Sequence, residues 1–259
     1  MLANKNVMIT SEDVILVPYR EEHVAKYHEW MADPALQTLT ASEPLSLEEE
    51  YAMQQKWQLD EDKLTFIVCA PTPSPDSAAP QLTMIGDTNL FLKGEPSDPE
   101  FEVEVEIMIA EPAYRRRGLA LTALQLLLSY ATSPIAPPFV PASSHAPLPV
   151  PPTALVARIG ETNGASIALF AKLGFVVTKR VAVFGEVEMR YRPQSNSGGG
   201  GTAEDKFDVG VNRQGGVDVD GNRNSNVDGN RVGEGEEVKE GPGGTVAQWQ
   251  VGDVRECTI

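Results

Sequence analysis

Six residues, Arg115-Arg116-Arg117-Gly118-Leu119-Ala120, constrain this chain more than any other stretch. They follow Phe101 to Ala110, where Glu102-Val-Glu104-Val-Glu106-Ile alternates with period two, as expected of a strand with one carboxylate face and one apolar face. They open Leu119 to Ala131, where Leu119, Thr122, Ala123, Leu126, Leu127 and Tyr130 recur at helical spacing. Leu121, Leu124 and Leu128 widen that apolar stripe, as expected of a helix packed on a sheet. A strand, a short glycine turn and a helix start form a socket for an anion such as a diphosphate. The first helical N–H groups lack partners inside the helix. The helix dipole adds partial positive charge there, and glycine lets the backbone come close. Alone, the same six residues also describe a basic helix start on a solvated face, so the rest of the chain has to decide.

Composition divides the 259 residues near Pro193. Residues 194–259 hold 15 of the 22 glycines and only Phe207 and Trp249 as aromatic residues. Such a segment buries too little apolar area to offset the entropy of ordering, so it is expected to be a disordered tail behind one domain at 1–193. Net charge is −10 over 1–193 and −6 over 194–259. That balance argues against nucleic acid and against an anionic membrane surface as partners. No run approaches the length of a membrane span. The first residues lack an apolar signal core, and Cys69 and Cys257 read as unbridged, so a reducing, cytoplasmic setting is expected. His23, His28 and His145 show no metal-ligand spacing with the cysteines. In Asp218-Val-Asp220-Gly-Asn222, the sixth and twelfth loop positions fall on Arg223 and Gly229, which rules out an EF-hand.

Along the chain, Val14 to Tyr19 reads as a strand and Glu21 to Asp33 as an amphipathic helix. Ser46-Leu-Glu-Glu49 is a capping box opening a helix that runs to about Trp57. Leu64 to Ala70 and Leu82 to Leu92 read as strands around a proline-rich loop, 71–81. A second insertion, 133–152, carries eight prolines and is read as a surface spacer or a docking site for proline-binding modules. Ala154 to Ile159, Phe175 to Val183 and Glu186 to Arg192 read as strands, with a helix over Asn163 to Leu173.

Two blocks in order carry a family resemblance. Arg115-x-x-Gly118-x-Ala120 after a strand resembles the acetyl-CoA pyrophosphate loop of the GCN5-related N-acetyltransferase (GNAT) superfamily. Asn163-Gly-Ala-Ser166-Ile-Ala-Leu-Phe170-Ala-Lys-Leu173-Gly174-Phe175 resembles its later helix and the turn into the next strand. The run Leu39 to Gln54, containing Ser42-Glu43-Pro44, is similar to the signature of the N-acetyltransferase 9 branch. Tyr27 to Met31, Phe66 to Val68, Gly86-Asp87-Thr-Asn89-Leu-Phe91 and Glu104 to Pro112 match in order, so the resemblance spans about residues 3–192. It implies the GNAT acyl-CoA N-acyltransferase fold, an α/β architecture with a mixed central sheet flanked by helices. It implies transfer of acetyl from acetyl-CoA to an α-amino group, with tubulin as the acceptor protein and no metal.

Carried onto this sequence, the resemblance has Arg115, Arg116, Arg117, Gly118, Leu119 and Ala120 holding the pyrophosphate, mainly through backbone N–H groups. Ile109 and Ala110 would pair with the pantetheine amides and donate toward the thioester oxygen. Asn163 would fix the pantetheine arm, or simply cap its helix. Ser42 and Glu43 would shape the acceptor pocket, or form a turn ahead of Ser46. An α-amino group, with a pKa near 8, needs only a modest base. Glu106 or Glu104 would supply it through water; the plainer alternative is a solvated carboxylate row. Many superfamily members carry Tyr where Phe170 stands, so the leaving thiolate would depart unprotonated or draw on Ser166, Tyr191 or water. A small-amine or lysine acceptor, or a domain that binds acetyl-CoA or the cytoskeleton without turnover, are the competing readings.

Overall fold

A computed structural model describes residues 2–73, 81–133, 148–193 and 252–257. The chain begins with two short strands, β1 (Val7–Thr10) and β2 (Ile15–Pro18). Three helices follow: α1 (Glu21–Met31), α2 (Pro34–Thr40) and α3 (Leu47–Leu59). Then come β3 (Lys63–Thr72), β4 (Gln81–Lys93), β5 (Glu102–Ile109) and α4 (Leu119–Thr132). The described chain closes with β6 (Leu155–Gly160), α5 (Gly164–Lys172), β7 (Phe175–Val181), β8 (Glu186–Tyr191) and β9 (Asp253–Glu256). The strands form one sheet in the order β7-β8-β6-β5-β4-β3-β2-β1-β9. Every pairing is antiparallel except β5 with β6. This is the expected mixed sheet with helices on its faces.

Period-two alternation delivers one apolar set to each face. Leu64, Phe66 and Val68 of β3, with Val103 and Val105 of β5, pack against Ala123, Leu124, Leu127 and Leu128 of α4. On the opposite face, Ile67 and Cys69 of β3 and Met108 at the end of β5 join Val24, Tyr27, Trp30 and Met31 of α1. The capping box forms as read: the Glu49 N–H donates to Ser46 Oγ at 3.3 Å, and the Ser46 N–H donates to Glu49 Oε2 at 2.8 Å.

Three elements differ from the sequence reading. Helix α2 was absent from it, although Asp33-Pro34 carries the signal: Asp33 Oδ1 accepts from the Ala35 N–H at 2.8 Å, and Pro34 occupies the first turn. Strand β1 was also absent, being only four residues long.

The third difference is a correction to the tail. Residues 253–256 form β9, antiparallel to β1 with Val7 opposite Glu256 and Thr10 opposite Asp253. The Cys257 N–H donates to the Asn6 carbonyl at 2.9 Å, and Cys257 is buried. A Cβ on Gly252 would come within 2.5 Å of Leu126 Cδ2 and 2.8 Å of Ile9 Cγ2, so only glycine fits there without displacement. Strand β9 belongs to the same compact unit as the strand it pairs with, so a domain drawn at 1–193 omits one of its edge strands. Residues 194–251 lie outside the described residues, as do 74–80 and 134–147 of the two proline-rich insertions. Pro71 and Thr72, placed in a loop by the sequence reading, extend β3.

Candidate active site

The parallel ladder between β5 and β6 is short. It pairs Val103 with Leu155 and Glu104 with Val156, then ends while both strands continue. In the antiparallel ladder on the other side of β5, alternate residues direct their N–H and C=O groups toward β4. The Ala110 N–H donates to the Ile85 carbonyl at 2.9 Å, which fixes the alternation. Ile107 and Ile109 therefore direct their backbone groups to the β6 side, beyond the end of that ladder. The slot between the two strands is lined by backbone donors that the sheet does not use.

Strand β4 shapes the end of this slot. Val68 pairs with Gly86 and Cys69 with Met84, leaving Ile85 as a bulge. The Ile85 carbonyl accepts from both Ala110 and Glu111, at 2.9 and 3.2 Å. A Cβ on Gly86 would lie 1.9 Å from the Met108 carbonyl oxygen, so glycine alone allows this close approach of β4 and β5. These contacts split one expectation. The Ile109 N–H is directed at the slot, whereas the Ala110 N–H is consumed by Ile85 and is not available to a ligand.

The residues of the arginine turn differ in what their side chains do. Arg115 donates from Nε to the Ile109 carbonyl and from Nη2 to the Ala110 carbonyl, both at 2.8 Å. Its guanidinium thus braces the end of β5 rather than standing free for a phosphate. Arg117 lies over the Tyr114 ring at 5.2 Å. Arg116 and Gly118 adopt left-handed backbone, with φ of 62° and 84°. Nothing lies within 4 Å of where a Gly118 Cβ would be, so the glycine serves the backbone conformation and leaves open space at the helix start. Helix α4 begins at Leu119, and the Leu121 and Thr122 N–H groups both donate to the Gly118 carbonyl. The Leu119 and Ala120 N–H groups precede those bonds and face outward as an anion site requires. The Leu119 side chain itself is core. An acidic residue beside the socket is tied back: Glu111 accepts from Trp30 Nε1 at 2.8 Å and meets Lys26 Nζ at 3.0 Å. Those two bonds, Trp30 first, hold its carboxyl below the usual range.

The three carboxylates of β5 share a face and differ in company. Glu102 pairs with Arg158 at 2.6 Å and also with Arg190. Glu104 is buried and pairs with Arg158 at 3.1 Å and with Lys93. Arg158 reaches Glu188 as well, at 3.4 Å. The expectation of a solvated row therefore fails for Glu102 and Glu104. Glu106 has no ion pair among the described residues. It is exposed to solvent on one side, while the protein around it desolvates its charge. Desolvation first, then the charges of Glu104 and Asp87, push its pKa up to about 7.

Behind Glu106 stands a polar cluster that the sequence reading did not single out for chemistry. Asp87 is buried, accepts from Asn89 Nδ2 at 2.8 Å and from the Tyr27 hydroxyl at 3.5 Å, and has its pKa raised to about 6 by desolvation. Its sequence signal was the polar pair Asp87-Thr-Asn89 inside an otherwise apolar strand.

The other expected site residues sit at the start of α5 and in the loop between α2 and α3. Asn163 caps α5, its Oδ1 accepting from the Ser166 N–H at 3.1 Å. Ser42 and Glu43 belong to the loop between α2 and α3; Ser42 bonds Thr40, and Glu43 is exposed. Phe170 is buried edge-on against Phe175, with ring centroids 5.1 Å apart, and Tyr191 packs on the other side of Phe175 at 5.7 Å. Phe170 is a packing residue. No group of three or more metal-ligating side chains occurs among the described residues.

A family model described as an acetyltransferase (GNAT) domain matches residues 13–176. The chain is 45% identical over 190 residues to the alpha/beta-tubulin-N-acetyltransferase 9 of Drosophila melanogaster, covering 73% of this chain and 88% of that protein. It is 42% identical over 195 residues to the human protein of the same name, covering 73% and 85%. The chain belongs to the N-acetyltransferase 9 family and is an acetyl-CoA-dependent N-acetyltransferase. Among solved structures, spermidine N-acetyltransferase from Vibrio cholerae in complex with CoA and spermine shares the fold, with a TM-score of 0.52 at 16% identity over 70% of this chain and 94% of that one.

Proposed function

We propose that this enzyme acetylates the α-amino group of a protein N-terminus, that tubulin is that protein, and that it acts in the cytoplasm. The observation that carries the reading is Glu106, a solvent-exposed β5 carboxylate with no ion pair among the described residues, whose pKa desolvation pushes up to about 7. An α-amine with a pKa of about 8 is matched by such a base, whereas a lysine near 10.4 asks for a stronger one. The names of the Drosophila and human relatives support the choice of tubulin.

Acetyl-CoA supplies the acetyl group as a thioester. The Leu119 and Ala120 N–H groups, with Arg116 and Arg117 nearby, bind its diphosphate at the start of α4. The Ile109 N–H donates to the thioester carbonyl oxygen that gains charge. A backbone donor so placed is worth about 3–4 kcal/mol. Glu106 accepts the proton from the amine, directly or through one water; the nitrogen electron pair forms the C–N bond, the C–S bond breaks, and CoA leaves as the thiolate, which takes a proton from water.

The test is acetyl transfer by the full chain to three acceptors, read by mass spectrometry: tubulin N-terminal peptides, the same peptides blocked at the α-amine but keeping a lysine, and polyamines. Acetylation confined to the free α-amine is the expected result. Transfer to lysine or polyamine instead would replace this reading.

A further inference from the structure

The side chain directly across the ladder from Glu106 carries an acceptor with no donor among the described residues. Asn89 of β4 stands opposite Glu106 of β5, so the two share a face. Directly opposed residues place their Cβ atoms about 5 Å apart. Asn89 Nδ2 donates to Asp87 Oδ2 at 2.8 Å. An ionised carboxylate only accepts, so the amide nitrogen has to face Asp87 and Oδ1 is turned away from it. The Tyr27 hydroxyl donates to the same Asp87 oxygen, which holds Asp87 in place. Asn89 is 5% exposed, and its Oδ1 is closed to solvent without a hydrogen-bond donor among the described residues. A buried, oriented and unpaired carbonyl oxygen is unfavourable unless some state of the protein gives it a donor.

Turnover creates such a donor next to it. We propose that Asn89 is a positioning residue for the base: once Glu106 holds the proton taken from the acceptor amine, its new O–H donates to Asn89 Oδ1. The inference rests on the reading of Glu106 as the base. An amine N–H bond breaks, its electron pair stays on nitrogen for attack, and an O–H bond forms on Glu106. The neutral acid then returns its proton to solvent water, to which Glu106 is exposed. A hydrogen bond made only by the protonated form favours that form and so strengthens the base. Glu104 of β5 and Asp87 of β4 act in the same direction on Glu106, and Lys93 of β4 opposes them. The phenol of Tyr27, on α1, interacts with Glu106 as well. Because Asp87 also titrates, the acid limb of the rate profile belongs to the pair rather than to one residue.

The experiment measures kcat/KM for the acceptor peptide against pH in the full chain and in Asn89→Ala and Glu106→Gln, each with its acetyl-CoA Kd and Tm. Asn89→Ala is expected to move the acid limb down by about one pH unit and lower the plateau roughly tenfold, with acetyl-CoA Kd unchanged. If Asn89→Ala does not fold, Asn89→Leu keeps the volume without the acceptor and is held to the same expectation. An acid limb that stays in place while Glu106→Gln is inactive overturns the role of Asn89 and leaves the base intact. Wild-type rates in Glu106→Gln would remove the base, and Asn89 with it.

Discussion

Arg115 donates from Nε to the carbonyl oxygen of Ile109 across 2.8 Å, and its Nη2 holds the next carbonyl, that of Ala110. A planar guanidinium spans two adjacent carbonyls; an ammonium, a single point of charge, does not. The first arginine of the turn therefore acts on the strand before it, holding the residue whose N–H faces the slot.

Arg115→Lys should loosen that strand end. We expect the acetyl-CoA Kd to rise roughly tenfold, in keeping with the loss of about one net hydrogen bond. Isothermal titration reads this directly. An unchanged Kd would mean that the brace does not set the slot.

The two inner carboxylates of β5 should separate cleanly. Glu106→Gln is expected to cost about a hundredfold in kcat, while acetyl-CoA still binds. Glu104→Gln leaves Lys93 and Arg158 short of a partner, so its main effect should be on Tm. A larger kcat loss in Glu104→Gln than in Glu106→Gln would reverse the assignment.

The pH dependence has a definite sign. Glu106 acts as a base only when ionised, so kcat/KM should fall as pH drops below about 7. Stability runs the other way. A carboxyl whose folded pKa lies above its unfolded value of 4.5 binds protons more tightly in the folded state, so it favours folding below 4.5 and loses that contribution as pH rises through about 7. Glu106→Gln should accordingly raise Tm at pH 8 but hardly at pH 4. Equal Tm differences at both pH values would contradict this.

Removing everything after Pro193 should destabilise the enzyme, contrary to the disordered tail expected from composition. It uncovers the β1 edge and the apolar contacts of Val254 and Gly252. We expect Tm to fall by about 5 °C. Calorimetry on the two chains decides it, and identical melting would mean that β9 adds nothing.

Phe170→Tyr should retain activity. The new hydroxyl would enter a packed core against Phe175, at a cost of about 1–3 kcal/mol unless it finds a partner. A folded but inactive Phe170→Tyr would show that this position does more than pack.

Much of the fold was legible because its signals are local. Alternation in β5, the stripe on α4 and the box at Ser46 each depend on neighbours within a turn or a few residues. The elements that escaped lacked such a signal. Strand β1 is too short to show a period, and β9 is four residues at the end of a glycine-rich segment. Helix α2 did have its Asp33-Pro34 start, and went unread.

The family, the socket turn and the carboxylate face of β5 are readable from residue type at fixed spacing. Which carboxylate remains a base was decided by tertiary structure. Lys93 comes from β4 and Arg158 from β6, and only strand pairing brings both cations into ion pairs with Glu104, while Glu106 makes none among the described residues. In the same way, the spare N–H of Ile109 exists because the β5–β6 ladder stops at Glu104, and that of Ala110 is spent because Ile85 bulges toward it. A charge or a backbone donor is defined by what stands opposite it, and across a sheet that partner is set by register, which no stretch of sequence contains.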